Sequence, residues 1–115
     1  MQFERDLAQK ETRYGKEHPL VADCLSNMAI IYNQRGEQAN ALPMYERALA
    51  IFEKSKGVHS QDVAHTLTDM AVLHLEAHRD DIGRPLLERA LQIQRNRLGP
   101  DHPDVTAILD VLNGD

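Results

Sequence analysis

The sequence predicts an all-α chain of six helices, paired antiparallel and stacked as a helical solenoid. Three observations carry that expectation. The turn-like stretch "GPDHPDV" at residues 99–105 has an earlier relative, "GKEHPLV", from Gly15, and a divergent one, "GVHSQDV", from Gly57, so three glycines recur at a spacing of 42 residues. Apolar residues between them follow a helical period. No stretch alternates with the period of two that a half-buried strand requires.

Sliding the sequence by 42 residues pairs Val21 with Val63, Ala22 with Ala64, Leu25 with Leu67, Met28 with Met70 and Ala29 with Ala71. Further along, Pro43, Glu46, Arg47, Ala48, Leu49 and Ile51 pair with Pro85, Glu88, Arg89, Ala90, Leu91 and Ile93. Val21, Leu25, Met28, Ala29 and Tyr32 form one amphipathic stripe, and Ala41, Tyr45, Ala48, Leu49 and Phe52 form a second, so each period encodes a helix pair. Ala29/Ala71 and Ala48/Ala90 stand where a larger side chain would hold two helices apart, which predicts close packing. One pair cannot cover its own apolar surface, and stacking on the next pair solves that problem.

The expected helices, in order, are 2–14, 19–35, 38–56, 61–77, 80–98 and 103–113. Residues 1–14 read as the second helix of a unit whose first helix is missing. There Asp6 stands in the register of Ala48, Gln9 in that of Ile51 and Lys10 in that of Phe52, as a terminal capping helix with one wet face requires. Residues 15–56 and 57–98 are full repeats. Residues 99–115 are a partial repeat or capping helix, with Val105, Leu109 and Leu112 as its apolar positions. The whole of 1–115 reads as a single array, with an excised piece of a longer array as the alternative.

The hinge between repeats has a local logic. Arg95 and Arg97 favour the C-terminal end of a helix, and Gly99 is expected to end it in the left-handed conformation. Pro103 suits the first turn of the next helix, where its missing N–H is not needed. His102, like His18, is expected to hold the turn by hydrogen bonding. "GVHSQDV" lacks the proline, which predicts a less sharp start near Gln61. His74 and His78 stand where the first repeat has Tyr32 and Gly36, which predicts a different turn in "EAHRDDIG".

Composition narrows the function. The net charge is −5, so the chain lacks the basic field that holds nucleic-acid phosphates. Its apolar runs are far too short to span a membrane, and no charged-then-apolar leader opens it. A lone Cys24 excludes an internal disulfide and suits a reducing, cytoplasmic setting. Aromatic residues are few, with no Trp, so the core must be built from aliphatic side chains and alanine.

Catalytic chemistry finds no foothold. His74 and His78 have the i, i+4 spacing of two ligands on one helix face, but no carboxylate or Cys set accompanies them, so neither metal nor cofactor is expected. Cys24 lies on a helix that should be packed, where thiols are inert. Asp80, Asp81, Asp101 and Asp104 sit at helix starts, where negative charge favours the free N–H groups.

These residues resemble a known family. Leu25, Met28, Ala29, Tyr32, Gly36, Ala41, Tyr45 and Ala48 match in register the offsets of tetratricopeptide repeats, which have a 34-residue helix-turn-helix unit. Leu67, Met70, Ala71, His74, His78, Gly83, Leu87 and Ala90 follow in the second copy. The longer period and the wording "GPDHPDV" and "ERALQIQ" are similar to the kinesin light chain subclass, also seen in nephrocystin-like proteins and bacterial regulators. The resemblance implies a right-handed solenoid whose first helices line a concave groove that binds a peptide or partner helix, without enzymatic activity.

Carried onto this chain, the resemblance assigns to the groove Asp23, Ser26, Asn27, Ile30, Asn33 and Gln34 from the first repeat. It assigns His65, Thr68, Asp69, Val72, Leu75 and Glu76 from the second, and Asp110 from the third. The position that carries a peptide-contacting Asn in kinesin light chains holds Ser26, Thr68 and Asp110 here, a departure from recognition in that style. Acidic Asp23, Asp69, Glu76 and Asp110 favour a basic or mixed apolar protein segment as partner. The expected state is a monomer or weak homo-oligomer. The alternatives in function are self-association through the solenoid ends, or service as part of a larger adaptor, scaffold or regulator.

Overall fold

Turn chemistry fixes where each helix starts and stops. The computed structural model describes residues 2–114. Its elements are α1 (Gln2–Tyr14), α2 (Pro19–Gln34), α3 (Gln38–Lys56), α4 (Gln61–Glu76), α5 (Asp80–Leu98) and α6 (Pro103–Leu112), with no strand among the described residues. The C-terminal ends of α2, α4 and α6 fall one residue short of the expected bounds, the usual scatter of a fraying last turn. The chain divides into two compact units between Val58 and His59. In the first unit α2 packs on α1 and on α3; in the second α5 packs on α4 and on α6.

The hinge histidines cap helices directly. His18 Nδ1 accepts the Leu20 N–H at 3.1 Å, and His102 Nδ1 accepts the Asp104 N–H at 3.1 Å, each with proline at the first helical position. Asp80, Asp81 and Asp104 sit in first turns, where they complement the helix dipole, while Asp101 precedes α6 and the side-chain cap of that helix comes from histidine. At Gly57 and Gly99 φ/ψ is 94°/151° and 92°/161°. That is an extended mirror region open to glycine alone, not the left-handed helical basin expected from the sequence. The second hinge also starts its helix sharply. Ser60 Oγ accepts the Val63 N–H at 3.2 Å, so the displaced His and missing Pro of "GVHSQDV" leave α4 capped after all.

The turns inside the two full repeats are the same despite their different residues. Tyr32 C=O accepts the Glu37 N–H at 2.8 Å, and His74 C=O accepts the Arg79 N–H at 2.8 Å. Gly36 has φ +79° and His78 φ +61°. His78 therefore occupies a left-handed position that costs a side-chain-bearing residue about 1–2 kcal/mol. Part of that is offset by the unfolded-state entropy of glycine, so His78→Gly is expected to stabilise the protein by about 0.5–1 kcal/mol, read as a rise in the urea midpoint at constant m-value.

Alanines 29, 48, 71 and 90 are fully buried, as the close-packing argument requires. Ala48→Leu or Ala90→Leu is expected to destabilise by about 1–3 kcal/mol through overpacking, measured by thermal or urea unfolding. The apolar core of the second unit is otherwise built from Val63, Leu67, Met70, Leu73, Leu87, Ile93, Val105 and Ile108, with Thr66, His74 and Gln94 buried beside it. All the Phe and Tyr of the chain, namely Phe3, Tyr14, Tyr32, Tyr45 and Phe52, lie in the first unit. On α1, Gln9 is exposed while Asp6 and Lys10 are half-buried. An ion pair between Arg47 and Glu11 at 2.9 Å ties α1 to α3.

Candidate functional site

The side chains at 65, 68, 69 and 72 follow one another at i, i+3, i+4 and i+7, which places them on one face of α4. Those at 104, 107, 108 and 111 do the same on α6. Together they wall an open cavity of about 430 Å³ in the second unit. Its apolar surface comes from Val72, Ala107, Ile108 and Val111, with Leu87 of α5 beneath. Polar character comes from His65, Thr68, Asp69 and Asp104, and from Gln94 of α5. No Lys or Arg lines this cavity.

The polar groups are unequally served. Thr68 donates its hydroxyl proton to the Ala64 carbonyl at 2.9 Å, a bond within its own helix. Asp69 is half-buried, and burial pushes its carboxyl above the usual carboxylate range, with the neighbouring His65 pulling part of the way back. The folded protein thus holds the Asp69 proton more tightly than the unfolded chain does. This group's contribution to stability accordingly declines as pH rises from the ordinary carboxylate range through the raised value. Gln94 is only 2% exposed, and its Oε1 has no hydrogen-bond partner. A buried acceptor left unmade costs about 1–3 kcal/mol.

Of the residues assigned to a groove from the sequence, the structure brings His65, Thr68, Asp69 and Val72 together here. Leu75 goes elsewhere. A Cβ built on Gly83 would lie 2.9 Å from Leu75 Cγ and 3.1 Å from the Ala71 carbonyl oxygen, so Leu75 packs against the backbone of α5. The first repeat has Asn33 and Ala41 at these two positions, and the second has Leu75 and Gly83: the larger side chain on one helix meets the smaller on the other. Glu76 and Asp110 are exposed and lie off the cavity wall. In the first unit Asp23, Asn27, Ile30 and Gln34 are exposed along α2, with Ser26 and Asn33 half-buried. The Ser26 hydroxyl, like Gln94 Oε1, is buried without a partner.

Sequence reasoning missed Gln94 and the α6 wall. The signal for Gln94 was present: Phe52, 4% exposed, holds the same place in the first repeat, so a buried amide in the second is a departure from the core pattern.

The other chemical candidates take structural roles. His74 is buried and its Nδ1 accepts the Arg79 Nε–H at 3.0 Å, while His78 stands beyond the end of α4, so the pair shares no helix face. Among the described residues no three His, Cys, Asp or Glu are placed to hold a metal ion. Cys24 is buried, and burial pushes its thiol up against a smaller opposing pull from Lys10, which leaves it protonated and unreactive. No described helix is long and apolar enough to cross a membrane.

Comparison with known proteins agrees with the repeat geometry. Two tetratricopeptide repeat models match, one over residues 2–54 and one over residues 63–104. No curated protein matches the chain. Among solved structures, the crystal structure of BtubC (BKLC) from P. vanneervenii superposes with a TM-score of 0.89 at 27% identity, over 97% of this chain and 45% of that one. The chain thus spans less than half the length of that protein. With a 42-residue period, paired helices and tetratricopeptide models matching both halves, the chain belongs to the tetratricopeptide repeat family, in its kinesin light chain-like subclass.

Proposed function

We propose that this protein-interaction module is non-enzymatic and binds a peptide or partner helix in the groove between α4 and α6. The observation that carries the reading is the cavity itself: an apolar floor and walls open to solvent, rimmed by His65, Asp69 and Asp104. Concave, mostly apolar sites with a few placed polar groups are the usual form of a binding site. By repeat register, Asp23, Ser26, Asn27 and Ile30 of α2 belong to the same reading, and the acidic rim favours a basic or mixed apolar segment. Asp110 and Glu76 contribute to the field around the groove and not to its walls.

Val72 and Val111 give the test, because they line the cavity at 38% and 41% exposure and are not core residues. Peptides are selected from a displayed random library against the full chain and titrated against Val72→Asp/Val111→Asp. A charge placed in an apolar contact is expected to weaken binding at least about tenfold, with the melting temperature little changed. Undiminished affinity in the folded double variant would put the binding surface elsewhere.

A further inference from the structure

Within the proposed groove, and resting on that reading, we infer that Asp69 and Gln94 form a pocket for an arginine side chain of the bound segment. Gln94 lines the cavity and is 2% exposed, and its Oε1 is buried without a donor. The first repeat fills the equivalent place with the ring of Phe52, so close packing alone does not require an amide there. No lining side chain donates to it: Thr68 spends its hydroxyl on Ala64, the cavity has neither Lys nor Arg, and His65, the other donor on the wall, makes no bond to Gln94 Oε1.

Charge points the same way. Asp69 keeps its carboxyl on this wall in a half-buried setting that disfavours the ionised form, and Asp104 adds a second carboxylate across the groove. An incoming cation would relieve Asp69 and pair with Asp104. Of the cationic side chains, guanidinium fits better than ammonium. It has five donors in a planar fork and no acceptor, so one group can serve a carboxylate and an amide oxygen together. Its weakly hydrated flat faces can rest on Val72 and Val111, where a strongly hydrated lysine head would have to shed water.

The probes are the short peptides Ac-Leu-Arg-Leu-NH2, its citrulline analogue, which keeps the shape and loses the charge, and its lysine analogue. They are titrated into the full chain by two-dimensional amide NMR. The arginine peptide is expected to shift the Gln94 side-chain amide and the backbone amides around Asp69, and to bind at least about tenfold more tightly than the citrulline peptide. Lysine should fall between. Gln94→Phe, which installs the residue of the first repeat, and Asp69→Asn should each shrink the arginine preference to about threefold or less while raising the melting temperature. Equal affinity for arginine and citrulline, no response at Gln94, or an undiminished preference in Gln94→Phe would each overturn the arginine pocket. Library-selected peptides that still lose binding in Val72→Asp/Val111→Asp would then leave the groove reading standing, so the two failures are distinguishable.

Discussion

Leu67→Ala is expected to destabilise the protein by about 2–5 kcal/mol, as truncation of a fully buried leucine does when the surroundings relax only in part. Leu67 is 0% exposed and sits at the centre of the α4 stripe, where α4 packs on α5. Its partner by repeat register, Leu25, is nearly as buried in the first unit, so Leu25→Ala should fall in the same range. Small domains have about 5–15 kcal/mol in all, so either substitution removes a large part of the total. Equilibrium urea unfolding measures it. A loss below about 1 kcal/mol would mean that the core does not close on these leucines.

Gly99→Ala is the second large effect, expected at about 1–3 kcal/mol, and its cause is of a different kind. A Cβ on Gly99 would meet nothing within 4 Å, so crowding plays no part. The cost is in the backbone, held at φ 92° and ψ 161°. D-alanine, whose allowed regions are the mirror image, should therefore be accepted at the same position and stabilise by about 0.4–1 kcal/mol through the unfolded chain. Introduced by peptide ligation, the two enantiomers form a matched pair. Equal losses from both would show that space, and not chirality, makes residue 99 glycine.

Much of this fold can be read from the sequence because the repeat states each rule twice. Val21 and Val63, Ala29 and Ala71, or Ala48 and Ala90 fix the buried faces without reference to any partner helix. What one copy leaves ambiguous the other resolves. The errors come where the copies differ and the difference has to be assigned to a cause. His78 against Gly36 reads as a changed turn, but the backbone tolerates the strain and keeps the turn. Ser60 replaces the cap that His and Pro supply elsewhere. Leu75 against Asn33 reads as an apolar addition to a binding face, yet the compensating loss of Cβ at Gly83 draws it inward. That exchange is visible only when positions on two helices are compared together. The α6 wall was legible in part: Ala107 and Val111 hold the register of His65 and Asp69, but their apolar side chains in a short third repeat read as ordinary helix surface.

The division of aromatic residues between the two units has a spectroscopic consequence. Every tyrosine lies before Val58 and the chain has no tryptophan, so ultraviolet emission and near-ultraviolet dichroism report on the first unit by itself. Far-ultraviolet dichroism sums the helices of both. Superimposing the tyrosine and backbone melting curves thus measures directly how strongly the halves are coupled, without any label: coincident curves signify one cooperative transition, and separated curves give each half its own midpoint.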